Sequence, residues 1–146
     1  MRHLLDMTIL VAWGWRDHAD HDRVVRWIGE RKSAQGAELF TSPIPEMGFV
    51  RVSVQRSSGR ISVQQAAEVL RGMLNSLGPL HQFLPDDLDA TEWPDSCGSA
   101  VRTTDAHLLL LAQRHGLELA TLDAGIPGAK LLTESEALPR AGLPAM

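Results

Sequence analysis

The sequence has one cysteine, two lysines and no excess of positive charge, and each shortage removes a class of function. A lone Cys97 cannot form an internal disulfide or a cysteine-based zinc site, and it fits a reducing compartment, so the cytoplasm is the expected location. The longest apolar stretch, Leu4 to Trp13, is short and broken by Asp6. It fits neither a signal peptide nor a membrane span. No internal repeat, low-complexity block or linker divides the 146 residues, which are most simply one domain with a sizeable core.

The formal charge of −4 counts against a nucleic-acid binder. Two bound divalent cations would bring that charge to zero, which softens the objection. Basic side chains are nearly all arginine, 12 of 14, with Lys32 and Lys130 the exceptions. Arginine offers a planar fork suited to phosphate, although such a bias also arises from genome composition.

Hydrophobic spacing gives alternating strands and helices. His3 to Asp6 reads as a short strand and Thr8 to Trp13 as a short helix broken at Gly14. A helix from Asp20 to Arg31 follows from the spacing of Val24, Val25, Trp27 and Ile28, with Asp20 as its cap. Ala37 to Thr41 is a strand; Ser42-Pro43 opens a helix to about Gln55, stopped at Ser57-Ser58-Gly59. A helix from Ser62 to Asn75 ends before Gly78-Pro79, and Leu80 to Leu84 forms a third strand. Ala90 to Gly98 has no clear pattern. Thr103 or Thr104 caps a helix through His115, stopped by Gly116. Strands at Glu118 to Leu122 and Lys130 to Leu132 complete the order, and Pro139 to Met146 is expected to be poorly ordered. The alternation predicts an α/β fold, a mostly parallel sheet of four to five strands flanked by helices.

In such a sheet the carboxyl ends of the strands share one edge, where ligands bind. Asp6, Glu46, Asp105 and Asp123 all fall at that edge. Taken singly, each has an ordinary reading. Asp6 suits an N-cap as well as a ligand. Glu46 has Phe49 and Val50 at i+3 and i+4, beside apolar surface, and needs a partner such as Arg51 or a cation. Asp105 sits in a first helical turn, favoured by the helix dipole, with Leu108, Leu109 and Ala112 directing it inward. Asp123-Ala124-Gly125 suits a turn. Taken together, gathered carboxylates call for a cation, and an all-oxygen set suits Mg²⁺ or Mn²⁺.

Four segments in order, Leu4 to Leu10, Pro45 to Val52, Thr104 to Ala112 and Leu119 to Asp123, resemble PIN-domain ribonucleases, and among them the VapC toxins of bacterial toxin–antitoxin pairs. The resemblance spans Leu4 to about Leu132. It implies a PIN-like α/β domain in which Asp6, Glu46, Asp105 and Asp123 hold one or two Mg²⁺ or Mn²⁺ ions for hydrolysis of RNA phosphodiesters. Thr8 stands where the family more often has Asn or Ser, and Met7 where Thr is frequent. Thr8 and Thr121 would support the site by positioning waters or phosphate oxygens, packing or capping being the plainer role for Thr121. The resemblance further implies a homodimer, an RNA substrate such as tRNA or ribosomal RNA, and a cognate antitoxin that pushes an Arg or Lys into the acidic site.

Around this core lie weaker candidates. Arg51, Arg56 and Arg60 follow Glu46 and suit an RNA backbone or a solvated helix face. Trp13 and Trp15 suit base stacking or an interface, and Trp27 suits the core. Asp17 to Asp22 has a metal-like composition, but two histidines are an incomplete zinc set and a loop-to-helix junction is the simpler reading. His81 and His115 read as packing or surface residues. Two other functions compete. A phospho-aspartate phosphatase would need a second acid where Thr8 stands. A non-catalytic binding module on the same fold would have no reason to keep four like charges together.

Overall fold

A computed structural model describes residues 1–133. Its centre is one sheet of five strands, all parallel: β1 (Arg2–Leu5), β2 (Glu38–Thr41), β3 (His81–Phe83), β4 (Glu118–Thr121) and β5 (Lys130–Leu131). Their spatial order is β3-β2-β1-β4-β5. The chain therefore starts in the middle, builds outward through β2 and β3, then returns to lay β4 beside β1. That reversal between β1 and β4 is a topological switch point, and the helices that follow neighbouring strands there diverge to leave a crevice at the carboxyl edge.

Five helices connect the strands: α1 (Met7–Gly14), α2 (His21–Ser33), α3 (Pro43–Arg56), α4 (Val63–Ser76) and α5 (Thr103–Arg114). Side-chain alternation along each strand assigns residues to opposite faces. Leu5, Leu39 and Ala120 pack with Ile9, Val24, Trp27, Ile28, Phe49 and Leu70 from α1 to α4. Leu4, Phe40 and Leu119 pack with Leu108, Leu111 and Ala112 of α5. Burial on both faces explains why these strands read as unbroken apolar runs rather than alternating ones.

Most boundaries match the sequence reading, and three details differ. Asp20 precedes α2, but its side chain makes no cap; it pairs with Arg23 at 3.1 Å instead. Ser42 likewise precedes α3 without capping it, whereas Ser62 and Gln65 form a reciprocal capping box at α4. The residue preceding α5 is Arg102, at the end of a 3₁₀ turn over Ala100–Arg102, rather than a threonine. Thr103 is already inside the helix, its hydroxyl donating to the Ala100 carbonyl at 3.0 Å. The segment around Ala90 to Gly98 forms neither helix nor strand. It and the preceding acidic turn are fastened to α5 by pairs between His107 and Asp86, His115 and Asp87, and Arg114 and Glu92. Pro139 to Met146 lies outside the described residues. Among those described, no helix is long and apolar enough to cross a membrane.

One close approach matters for the site. A methyl placed on Gly48 would stand 2.6 Å from Cγ and 3.1 Å from Cβ of Met7. Only a hydrogen at that position lets α3, which carries Glu46, come up against the start of α1, which follows Asp6. Gly48→Ala is expected to lower the urea midpoint by the equivalent of about 1–3 kcal/mol through overpacking. An unchanged midpoint would show that the two helices have slack.

Candidate active site

Asp6 follows β1 and caps α1, the N-cap role weighed for it. Its Oδ1 accepts the Met7 N–H at 2.6 Å, while Oδ2 accepts the hydroxyls of Thr121 at 2.6 Å and Thr8 at 3.1 Å. The residue is only 4% exposed. Burial lifts its carboxyl above the ordinary value of 3.8; the three hydrogen bonds oppose that rise, and the negative charge of Asp105 adds to it. Asp6 and Asp105, 99 positions apart in the chain, thus sense one another across the crevice.

Thr121 ties two of the acids together. Its hydroxyl donates to Asp6 and accepts the backbone N–H of Asp123 at 2.9 Å. The side chain is completely buried, so this threonine positions carboxylates and cannot itself touch water or phosphate. Thr8 joins the same network, 3.3 Å from the Thr121 hydroxyl and accepting the Leu122 N–H at 3.0 Å. The threonine found where the family more often has Asn or Ser therefore still bonds the site, stitching the end of β4 to the start of α1.

Glu46 lies in the first turn of α3, and its partner is a hydroxyl rather than the guanidinium of Arg51. Thr41 Oγ1, at the end of β2, donates to Glu46 Oε2 at 2.6 Å. With its proton committed there, Thr41 accepts from His81 Nε2 at 2.7 Å. His81 is therefore neither simple packing nor surface; burial lowers its pKa, with the Glu46 charge opposing. The chain His81–Thr41–Glu46 fixes the carboxylate across three elements.

On the other side, one arginine clamps the remaining two acids. Arg102 Nη1 donates to Asp105 Oδ2 at 2.8 Å and to Asp123 Oδ2 at 2.9 Å. The other Asp123 oxygen accepts the Gly125 N–H at 2.8 Å. That backbone donor, with Arg102, holds the Asp123 carboxyl below its usual range.

Asp6, Asp105 and Asp123 are thus brought together at the switch point, while Glu46 is held apart by Thr41 and lines a groove between α3 and α4. Among the described residues no three His, Cys, Asp or Glu side chains converge closely enough to chelate one ion. Arg102 sits between Asp105 and Asp123, and Thr41 holds Glu46. The donor set still fits a hard cation, being all carboxylate oxygen with a positive charge already seated between two of its members.

Sequence reasoning missed Arg102 and Thr41, whereas Gly125 falls in the turn read at Asp123-Ala124-Gly125, its N–H closing on the Asp123 side chain. Arg102 stands at i−3 from Asp105, a spacing that brings side chains together on a helix, and that was its only signal. Arg56 lies over the Trp15 ring, 4.9 Å from its centroid, and pairs with Asp17 at 2.9 Å. Trp15 also donates to Ser53 at 3.0 Å. Both residues fasten α3 to the loop after α1. His18 and His21 are taken up locally, by the Asp20 N–H and the Ala12 carbonyl respectively.

The PIN domain model matches residues 3–130. The chain belongs to the PIN-domain family. Among its relatives, Ribonuclease VapC39 of Mycobacterium tuberculosis is 36% identical over 132 residues, covering 86% of this chain and 91% of the relative. Ribonuclease VapC38 of the same organism is 38% identical over 128 residues, covering 84% and 86%. Ribonuclease VapC44, also of that organism, is 35% identical over 139 residues, covering 88% and 94%.

The shifted Asp6 carboxyl has a measurable sign. Because its pKa is raised on folding, the folded chain binds the proton more tightly than the unfolded chain. Stability from this group is fully present below 3.8 and falls as the pH climbs through the folded value. With chelator present, Asp6→Asn is therefore expected to gain in melting temperature relative to wild type as pH rises from 3.8 towards neutrality. A gap that stays constant, or moves in favour of wild type, would contradict the burial argument.

Proposed function

We propose that this chain is one PIN-like domain acting as a Mg²⁺- or Mn²⁺-dependent endoribonuclease, the toxin of a type II toxin–antitoxin pair. The observation that carries this reading is the convergence of Asp6, Asp105 and Asp123 at the switch point of a PIN-family sheet, in a chain whose relatives are named ribonucleases. Asp6, Glu46, Asp105 and Asp123 would hold the ion, directly or through water. A divalent ion bound there supplies activation of a water molecule and neutralisation of charge on the phosphate.

The rest is performed by the protein's own groups. Thr121 and Thr8 fix the Asp6 carboxylate by two hydroxyls, so it need not reorganise when a cation arrives. Thr41 does the same for Glu46. Burial of Asp6 keeps the local dielectric low, which strengthens every charge interaction in the crevice. Arg51, exposed on α3 near Glu46, would meet an RNA phosphate. No side chain here has to act as a covalent nucleophile.

A groove between α3 and α4 begins beside Glu46 and is lined by Val50, Val54, Ala67, Leu70 and Leu74. An amphipathic segment of the cognate antitoxin would lie in this groove and reach the acids from it. The active species would be a cytoplasmic homodimer with an RNA substrate such as tRNA or ribosomal RNA.

Purified antitoxin-free protein is expected to cut a panel of total RNA and tRNAs at discrete positions with Mg²⁺ or Mn²⁺. Cutting should fall below detection with EDTA and in Asp105→Asn. Cuts that survive Asp105→Asn would come from a contaminant. Absence of cutting, together with absence of Mn²⁺ binding, would favour a non-catalytic module that binds its protein partner without metal.

A further inference from the structure

We propose that Arg102 is an exchangeable internal counter-ion: it occupies the cation position between Asp105 and Asp123 and must leave when a divalent ion binds. This inference rests on the metal-dependent reading above and adds a competitor from within the chain.

A single Arg102 nitrogen, Nη1, bonds one oxygen of each carboxylate, Oδ2 of Asp105 and Oδ2 of Asp123. The other Asp123 oxygen, Oδ1, is already engaged by the Gly125 N–H at 2.8 Å, which leaves Oδ2 the less committed of the two apart from Arg102. Mg²⁺ takes carboxylate oxygens at about 2.0–2.1 Å. An ion bound through these oxygens would stand against a guanidinium of like charge, so the two occupants exclude each other. One arginine also leaves the pair of carboxylates with a residual negative charge, whereas a divalent ion neutralises it fully.

Two further observations argue that Arg102 is held by the acids alone. It precedes α5, at the helix N-terminus, where the macrodipole disfavours a cation. Helix stability therefore gives no reason for a positive charge here. The guanidinium also lies over Gly125, where a methyl would collide with its Nη2 and crowd its Cζ at 2.9 Å. The turn after Asp123 thus leaves room for this group at the one residue without a side chain. Nothing buries the arginine in place, because its side chain is 41% exposed. Exposed ion pairs of this kind are individually weak, so a divalent ion can displace them.

The two substitutions that test this act differently. Arg102→Gln removes the competing charge. Gly125→Ala keeps the charge but pushes the guanidinium off the acids, and it preserves the N–H donor to Asp123. Calorimetric titration of MnCl₂ into wild type and both variants is expected to show tighter binding in the variants, by about threefold or more. Before metal is added, the variants should melt below wild type, and Mn²⁺ should raise their midpoints by the larger amount. Arg102→Gln decides the matter; should it fail to fold, Gly125→Ala takes its place. Affinity equal to or weaker than wild type in the folded variant overturns the exchange and makes Arg102 a fixed part of the site. Should neither wild type nor the folded variant bind Mn²⁺, the metal-dependent reading fails and the exchange fails with it.

Discussion

Mutual repulsion among carboxylates is the constraint around which this molecule is arranged. A parallel sheet whose strand order reverses between β1 and β4 brings the residues after those strands to one crevice. In this chain they are Asp6 and Asp123, joined by Asp105 from α5. Burying one such charge is costly without compensation. The structure answers with donors: three on Asp6, a hydroxyl on Glu46, and a shared guanidinium on Asp105 and Asp123. Each donor in turn depends on an element being where it is, so strand register, helix starts and the Gly48 contact all serve to keep negative groups close without letting them part.

This arrangement implies a conflict between stability and readiness. Asp6 is held with its charge destabilised by burial, which disfavours the fold at neutral pH and, on the proposed reading, is relieved by a cation. Thr121 is central to keeping that state intact. Its single hydroxyl both supports Asp6 and receives the Asp123 backbone, so the spacing of two acids across the switch point is set by one completely buried side chain. The β1–β4 side of the site is held by a buried hydroxyl, and the α5 side by the exposed Arg102.

Strand and helix identity was legible in the sequence because both sheet faces are buried: short apolar runs such as Leu4-Leu5 and Leu119-Ala120, separated by helical spacing, leave little choice. The four acids were legible because each interrupts an apolar context at an element boundary. What escaped was partnership. Thr41 gave no signal because its hydroxyl bonds Glu46 and His81 only once β2, α3 and β3 are assembled. Arg51 was the nearest arginine to Glu46 in sequence, yet the strand-end hydroxyl reaches the carboxylate instead. Arg102 drew no reading because the 3₁₀ turn that aims it at Asp105 has no strong sequence signature. Capping was overread at Asp20 and Ser42, where a favourable residue type occupies the right position while the side chain is drawn elsewhere or left buried without a partner.

The central claim is that the acids at the β1–β4 switch point form the cation site of this protein. Its most direct test is paramagnetic line broadening in amide-resolved NMR spectra during a substoichiometric Mn²⁺ titration. Broadening should begin at the amides of residues 6–8, 104–106 and 121–125 and extend to Glu46, while the His18–His21 loop and the Asp86–Asp87 turn stay sharp. Broadening centred on either of those two segments, with the switch point unaffected, would contradict it.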